Sequence, residues 1–314
     1  MNRRLVNVLA LVVALAAMLA FAGVVAAMPN LEFSSNIRVQ NIENEPANVV
    51  ISFYDIDGNG TPVKQLHDTI EGRGDRYYFT VQYDLPEGWS GSAVVGADRE
   101  IRVVNNLYTE DNMYQASSNG FLEGANEVGL PLIQLSNKDW DTWFNVQNVG
   151  PNPADVTVEF LPSTVAGKVA GQYYTTETFT LQPFAAHTLD QRQMTDELLA
   201  DSPVGSDPDG KAFIGAAIVR SEGAPVVASV VEGSDKRLMM YDGFTDEGTT
   251  GILVAPLYDI NHNTGISSLH VQNRGTVATD VTVNFVPSNS VPDSGTACYE
   301  THTIEPGEMW IFGL

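Results

Sequence analysis

The strongest constraint on how this chain can fold is a segment that occurs three times. IRVQNIENEPANVVISFYD (37–55), FNVQNVGPNPADVTVEFLP (144–162) and LHVQNRGTVATDVTVNFVP (269–287) align without a gap. From Val39 to Val49 is 10 positions and to Phe53 is 14, and Val146, Val156 and Phe160, then Val271, Val281 and Phe285, keep those offsets. Repetition of this kind means one structural unit built several times.

Within each copy apolar and polar residues alternate with period 2, the signature of a half-buried strand. Ile37, Val39, Val49, Ile51 and Phe53 are expected to face a core, with Arg38, Gln40, Asn48 and Ser52 outward. In the second copy Phe144, Val146, Val156, Val158 and Phe160 face in, and Asn145, Gln147, Asp155, Thr157 and Glu159 face out. Asn41, Asn148 and Asn273 stand where the first strand of each copy ends. An asparagine side chain can bond its own backbone and start a turn there.

Further matches extend the unit. Ile70, Leu181 and Ile304 each precede a turn, and WSGSAVVGADREIRVVNN and FIGAAIVRSEGAPVVASVVE read as a hairpin in the first two copies. The segment TDELLA is the one helical candidate outside the N-terminal run. About seven short strands per unit make an antiparallel β-sandwich of immunoglobulin type. The predicted organisation is an N-terminal apolar signal helix, 1–27, then an all-β chain of tandem immunoglobulin-like modules over 28–124, 125–248 and 249–314, the last incomplete.

The pattern of VQN, a turn, A-x-V-T-V-x-F, an aliphatic-x-P-G turn and a G-S-A-V-V hairpin resembles bacterial extracellular immunoglobulin-like repeats. That class includes CARDB-type and DUF11-type domains, and tandem repeats of secreted proteins of Chloroflexota-like bacteria are the most similar. The resemblance covers nearly all of the chain after the signal, though the modules lack the asparagine-rich ending of CARDB. It implies a β-sandwich fold and a cell-surface setting, and carries no catalytic or binding residues to transfer.

Location is read from the first 27 residues. Arg3 and Arg4 precede an apolar run from Leu5 to Val25 and a small-residue ending at Ala26-Ala27, a secretory signal with cleavage after Ala27. The run is also long enough to cross a bilayer, so a retained anchor is the alternative, and the membrane is then a partner through this segment alone. With 16 Lys+Arg against 39 Asp+Glu the chain carries −23. That field argues against nucleic acid as a partner and suits a soluble extracellular surface. The single cysteine, Cys298, excludes an internal disulfide and a cysteine zinc cluster.

Candidate sites are few. FYDIDGNG (53–60) holds Asp55, Asp57, Asn59 and Gly60 in the D-x-D-x-N-G order that opens a calcium-binding loop. Two readings stand: a calcium site at Asp55, Asp57 and Asn59, or a hairpin tip built from ordinary turn residues. Position 12 of the loop, where calcium needs a bidentate Glu, is Leu66, and the matching stretches of the other copies have no acids. Arg73-Gly74-Asp75, a tripeptide that some integrins recognise, falls on a predicted turn. Trp140 and Trp143 in KDWDTWF have no counterpart in the other copies and could stack on sugar rings. The histidines lack H-E-x-x-H spacing, GWSGS lacks the final glycine of a nucleophile elbow, and neither G-x-G-x-x-G nor a P-loop occurs.

The expected function is therefore a non-enzymatic, secreted or cell-envelope structural or adhesive protein without a cofactor. The alternatives are a carbohydrate-binding array or accessory domains of a larger extracellular protein. Partners are other surface proteins, glycans, or further copies joined by strand addition at the third module. That module has 10 positions from Ile304 to Leu314 where the second has 63 from Leu181 to Phe244, so about 53 positions holding the last hairpin have no counterpart. An apolar edge is then expected beside Val281, Val283 and Phe285. Either the piece belongs to a longer chain, or a strand from another subunit completes the edge.

Overall fold

A computed structural model describes residues 33–86, 88–109, 114–165, 167–199, 202–204, 210–234, 237–245, 251–255, 260–262, 265–288 and 295–313. The signal segment predicted over 1–27 lies outside them. The chain is all-β, with antiparallel sheets that face each other across apolar cores, consistent with a β-sandwich. Among the described residues no helix is long and apolar enough to cross a membrane.

The strands fall into three groups along the chain. The first holds β1 (Phe33–Asn41), β2 (Ala47–Asp55), β3 (Lys64–Ile70), β4 (Asp75–Phe79), β5 (Gly91–Ala97), β6 (Ile101–Thr109) and β7 (Gln115–Asn119). Its sheets run β4-β1-β6-β7 and β3-β2-β5. Alternation places Ile37, Val39, Val49, Ile51 and Phe53 in one core with Ile70 and Tyr78, because successive residues of a strand point to opposite faces.

The second group holds β8 (Glu127–Leu135), β9 (Asp141–Asn148), β10 (Ala154–Pro162), the short β11 (Thr164–Val165), β12 (Lys168–Val169) and β13 (Tyr174–Thr175), then β14 (Phe179–Leu181) and β15 (Ala186–Asp190). A one-turn helix α1 (Thr195–Leu199) buries Leu198 and Leu199 on the core, as TDELLA suggested. β16 (Phe213–Glu222), β17 (Val226–Ser234) and β18 (Arg237–Asp242) follow. The sheets are β15-β9-β17-β18 and β13-β10-β16-β8, with β14 also on β10. Phe144, Val146, Val156, Val158 and Phe160 are fully buried between them.

The third group holds β19 (Ile260–His262), β20 (Gly265–Ile266), β21 (Leu269–Gln272), β22 (Thr279–Phe285), β23 (Cys298–Ile304) and β24 (Met309–Phe312). Its sheets are pairs: β19-β20, β21-β24 and β22-β23.

The three asparagines form one corner three times over. Asn148 Nδ2 donates to the carbonyls of Asn152 at 2.7 Å, Leu181 at 3.1 Å and Gln182 at 3.2 Å, and its Oδ1 accepts from Gly150 N at 2.8 Å. Asn41 Nδ2 reaches the carbonyls of Glu45, Ile70 and Glu71, and its Oδ1 accepts from Glu43 N. Asn273 Nδ2 reaches Val277 and Ile304, with Gly275 N on its Oδ1. All three are buried.

The second turn of each corner is also shared. Gly74 N bonds Glu71 O, Ala185 N bonds Gln182 O, and Glu308 N bonds Glu305 O. The third residue of each turn is left-handed, with φ of 62° at Arg73, 63° at Phe184 and 81° at Gly307. Glycine fits such a position without strain, whereas arginine and phenylalanine do not. Those two residues are held there by other contacts: Arg73 Nε donates to Asn44 Oδ1 at 2.9 Å, and the Phe184 ring lies 5.6 Å from that of Tyr54.

One outward assignment is corrected. Ser52 is buried, accepting from Gln65 Nε2 at 2.9 Å, and its neighbour on the strand, Tyr54, is buried too. The second group lies over this end of β2, so its outer face is not solvent.

Asn148→Ala should cost about 2 kcal/mol or more in denaturant unfolding, because it leaves the buried Leu181 carbonyl and two part-buried ones without this donor. Asn148→Asp should cost more still, since a carboxylate cannot donate and sets charge against the same carbonyls; equal stability of wild type and Asn148→Asp would overturn the corner's role.

Candidate functional site

The D-x-D-x-N-G loop leaves β2 at Asp55 and turns at once, with Gly58 N on Asp55 O at 3.1 Å and Asp57 left-handed at φ 53°. Its polar side chains diverge. Asp55 Oδ1 accepts from Trp89 Nε1 at 2.7 Å, Asp57 Oδ1 meets His187 Nδ1 at 2.6 Å, and Asn59 Oδ1 accepts from Thr61 N at 3.0 Å. Leu66 lies in β3 opposite Ile51. Calcium requires six to eight converging oxygens, whereas these three side chains each turn to a different partner. Among the described residues no group of three or more His, Cys, Asp or Glu could hold a metal.

The loop instead docks on the second group. Asp57 N donates to Ala186 O at 2.7 Å, Ile56 bridges to Ala186 in parallel, and Ser92 Oγ donates to Phe184 O at 3.0 Å. A Cβ on Gly60, which is left-handed at φ 81°, would stand 2.8 Å from Pro183 O. The turn of one corner thus receives the loop of the preceding group.

The same seam continues across the outer sheet faces. Phe33, Leu107 and Ala116 of the first group pack with Trp143, Val231 and Leu238 of the second. Trp143 has its ring centroid 5.7 Å from that of Phe33 and the Arg192 guanidinium 5.4 Å from its own. Trp140 is half-buried, with Arg237 6.0 Å from its ring. Arg73-Gly74-Asp75 is tied down as well, since Asp75 Oδ2 accepts from Arg38 Nε at 2.9 Å.

A second seam joins the second and third groups. Met309 and Ile311 of β24 pack on Leu132, Ile214 and Ala216 of β8 and β16, and Ser163 Oγ donates to Met309 O at 3.0 Å. Arg274 reaches Glu127 Oε1 at 3.1 Å and Phe244 O at 2.9 Å. Sequence reading missed both seams, although a signal was present. FIGAAIV (213–219) and VVASVV (226–231) are nearly continuous apolar runs, the mark of strands buried on both faces.

One buried carboxyl stands apart. Glu232 Oε1 accepts from Gln134 Nε2 at 2.5 Å, and Gln134 Oε1 accepts from Asn137 Nδ2 at 2.5 Å. Burial pushes Glu232 up to about 7 against the opposing hydrogen bond from Gln134. Around Gln134 the Thr142 hydroxyl bonds both Gln134 and Gln191. His270 in the third group is pushed down to about 4 by burial.

The chain matches no known family model and no curated protein.

Two outcomes follow. Titration with calcium up to millimolar should release no heat; heat that disappears in Asp57→Asn would restore the metal reading. For Glu232 the folded carboxyl is raised, so its contribution is present below the ordinary Glu range and is lost as pH rises from about 4.5 through about 7. Wild type should lose about 2 to 3 kcal/mol relative to Glu232→Gln over that window. Taking the difference removes the opposite trend from His270, and parallel stability curves would contradict a buried protonated Glu232.

Proposed function

We propose that the chain is a non-enzymatic structural protein of the cell surface, secreted or held at the envelope, built of tandem immunoglobulin-like modules. In this reading 28–124 and 125–248 are complete sandwiches and 249–314 is a partial one. One observation carries it: the loops and outer faces that commonly bear binding sites are here spent on contacts between successive modules. Loop 55–60, Trp143, Val231 and Leu238 serve the first seam, and Leu132, Ile214, Met309 and Arg274 serve the second. Such contacts fix the orientation of one module on the next, which suits a stalk or spacer. The acidic composition supports an extracellular setting, and the N-terminal Arg-Arg and apolar run support export.

The carbohydrate reading keeps one supporting observation, a shallow cleft lined by Thr164, His302, Thr303, Glu308 and Trp310. Its tryptophan ring is already covered by His302, with centroids 3.4 Å apart. A glycan array with signal lost in Trp310→Ala would favour it over the stalk.

Expression of the full chain in a secreting bacterial host should place the protein outside the cytoplasm, with a mass beginning at Met28. Small-angle scattering should then show one set of dimensions for wild type and a broader distribution when Trp143→Ala and Ile214→Asp loosen the seams. Cytoplasmic retention, or scattering indifferent to the seam variants, would overturn the stalk.

A further inference from the structure

The loop between β2 and β3 docks on the second group with one side and leaves the other to water. Ile56, Asp57 and Gly60 meet Ala186 and Pro183, whereas Asn59 and Thr61 are exposed. Its base is closed by Val63 N on Phe53 O at 2.8 Å.

The exposed side carries a chemistry besides turn formation. Asn59-Gly60-Thr61 is Asn-x-Thr, the triplet at which an asparagine amide accepts a glycan on the surface of a secreted protein. No other asparagine of the chain has Ser or Thr two residues on. The buried corner asparagines Asn41, Asn148 and Asn273 are followed at that distance by Glu43, Gly150 and Gly275. The triplet thus falls on an amide with room for a bulky, hydrated group, and is missing where such a group would destroy the fold.

Local geometry presents the acceptor. Asn59 Oδ1 accepts from Thr61 N at 3.0 Å. Only the oxygen of the amide can face that N–H, so the nitrogen, the atom that takes the sugar, is not spent on the turn. Glycine flanks Asn59 on both sides, and the turn demands it: a Cβ on Gly58 would stand 2.9 Å from Asp55 O, and one on Gly60 2.8 Å from Pro183 O. The requirements of docking therefore leave no side chain next to the acceptor in sequence. Asp57, two residues before it, keeps its side chain 60% exposed while it meets His187. A transferase that reads the triplet alone, and one that also reads a preceding acid, both find their residues here.

We propose that Asn59 is an N-glycosylation site, accepting one oligosaccharide from a polyprenyl-pyrophosphate carrier. This rests on the reading of the chain as an exported protein. In the transfer Nδ2 attacks the anomeric carbon of the first sugar. The N–C bond forms as the C–O bond to the pyrophosphate breaks, the pyrophosphate leaves with that electron pair, and Nδ2 gives up one proton to a base of the transferase. Oδ1 is unchanged, so the bond from Thr61 N survives the modification. The docked side of the loop keeps its contacts, and the glycan stands on the open side of the junction between the first two groups.

The test expresses the full chain in a bacterial host that carries an oligosaccharyl transferase and an N-acetylhexosamine-led oligosaccharide on polyprenyl pyrophosphate. Protein recovered outside the cytoplasm should include a form heavier by that oligosaccharide less one water, with the increment on the tryptic peptide 39–64. Release by an amidase should leave aspartate at position 59. The increment should vanish in Asn59→Gln and Thr61→Ala and persist in Thr61→Ser, with thermal unfolding of all three matching wild type. Exported wild-type protein without the increment, from cells that modify a control acceptor, would overturn the site, as would an increment that persists in Asn59→Gln. Retention in the cytoplasm is a separate failure, that of the export reading. The site is then decided on purified full chain given the solubilised transferase and the same lipid-linked oligosaccharide, where an unmodified Asn59 again overturns it and a modified one upholds it.

Discussion

A buried asparagine amide holds each group of strands together. It sits at the end of the first strand and donates to carbonyls on two different turns, one just ahead in sequence and one about thirty residues on. The bonds to the Ile70, Leu181 and Ile304 carbonyls are buried, so without the amide those acceptors would lose a donor that water cannot readily replace. Because one side chain reaches both turns, the first strand cannot slide in one sheet without dragging the other. A one-residue slip would turn every core valine outward. The corner therefore fixes the register on which Val39, Val49 and Phe53, and their counterparts, meet in one core.

Everything outside the cores depends on how these corners are then used. The second turn of the middle corner, with its left-handed Phe184, receives the loop after β2. The equivalent turn of the third group presents Gly307, whose absent side chain lets Leu161 approach: a Cβ there would be 2.9 Å from Leu161 Cδ2. A turn whose first duty is to close a sandwich becomes the surface on which the neighbouring group rests. Loops and strand ends are engaged in this way in contacts between successive groups.

Much of this was legible in the residues themselves. Period-2 alternation marked the strands and their inward residues, since a half-buried strand has no other way to satisfy both of its faces. The asparagines announced a turn because their side chains are short and carry both donor and acceptor. The D-x-D-x-N-G loop stayed ambiguous for the same local reason: acids and glycines at those spacings suit a metal or a turn equally. What Asp55 and Asp57 bond is set by Trp89 and His187, which lie 34 and 130 residues away. Ser52 and Trp143 likewise carried no local sign that the neighbouring group would rest on them, though the nearly continuous apolar runs of β16 and β17 were a clue to it.

By itself, then, the sequence determined an all-β chain, the residues that face its cores, the corner residue that recurs, and a hairpin without counterpart in the last segment. These follow from periodicity and side-chain chemistry, which act over a few residues. Tertiary structure alone decided which outer faces are covered, where the carboxylates of the acidic loop turn, and that burial raises the Glu232 carboxyl. Those outcomes depend on desolvation and pairing between residues far apart in the chain, and no local pattern encodes what will lie across a surface once the chain has folded.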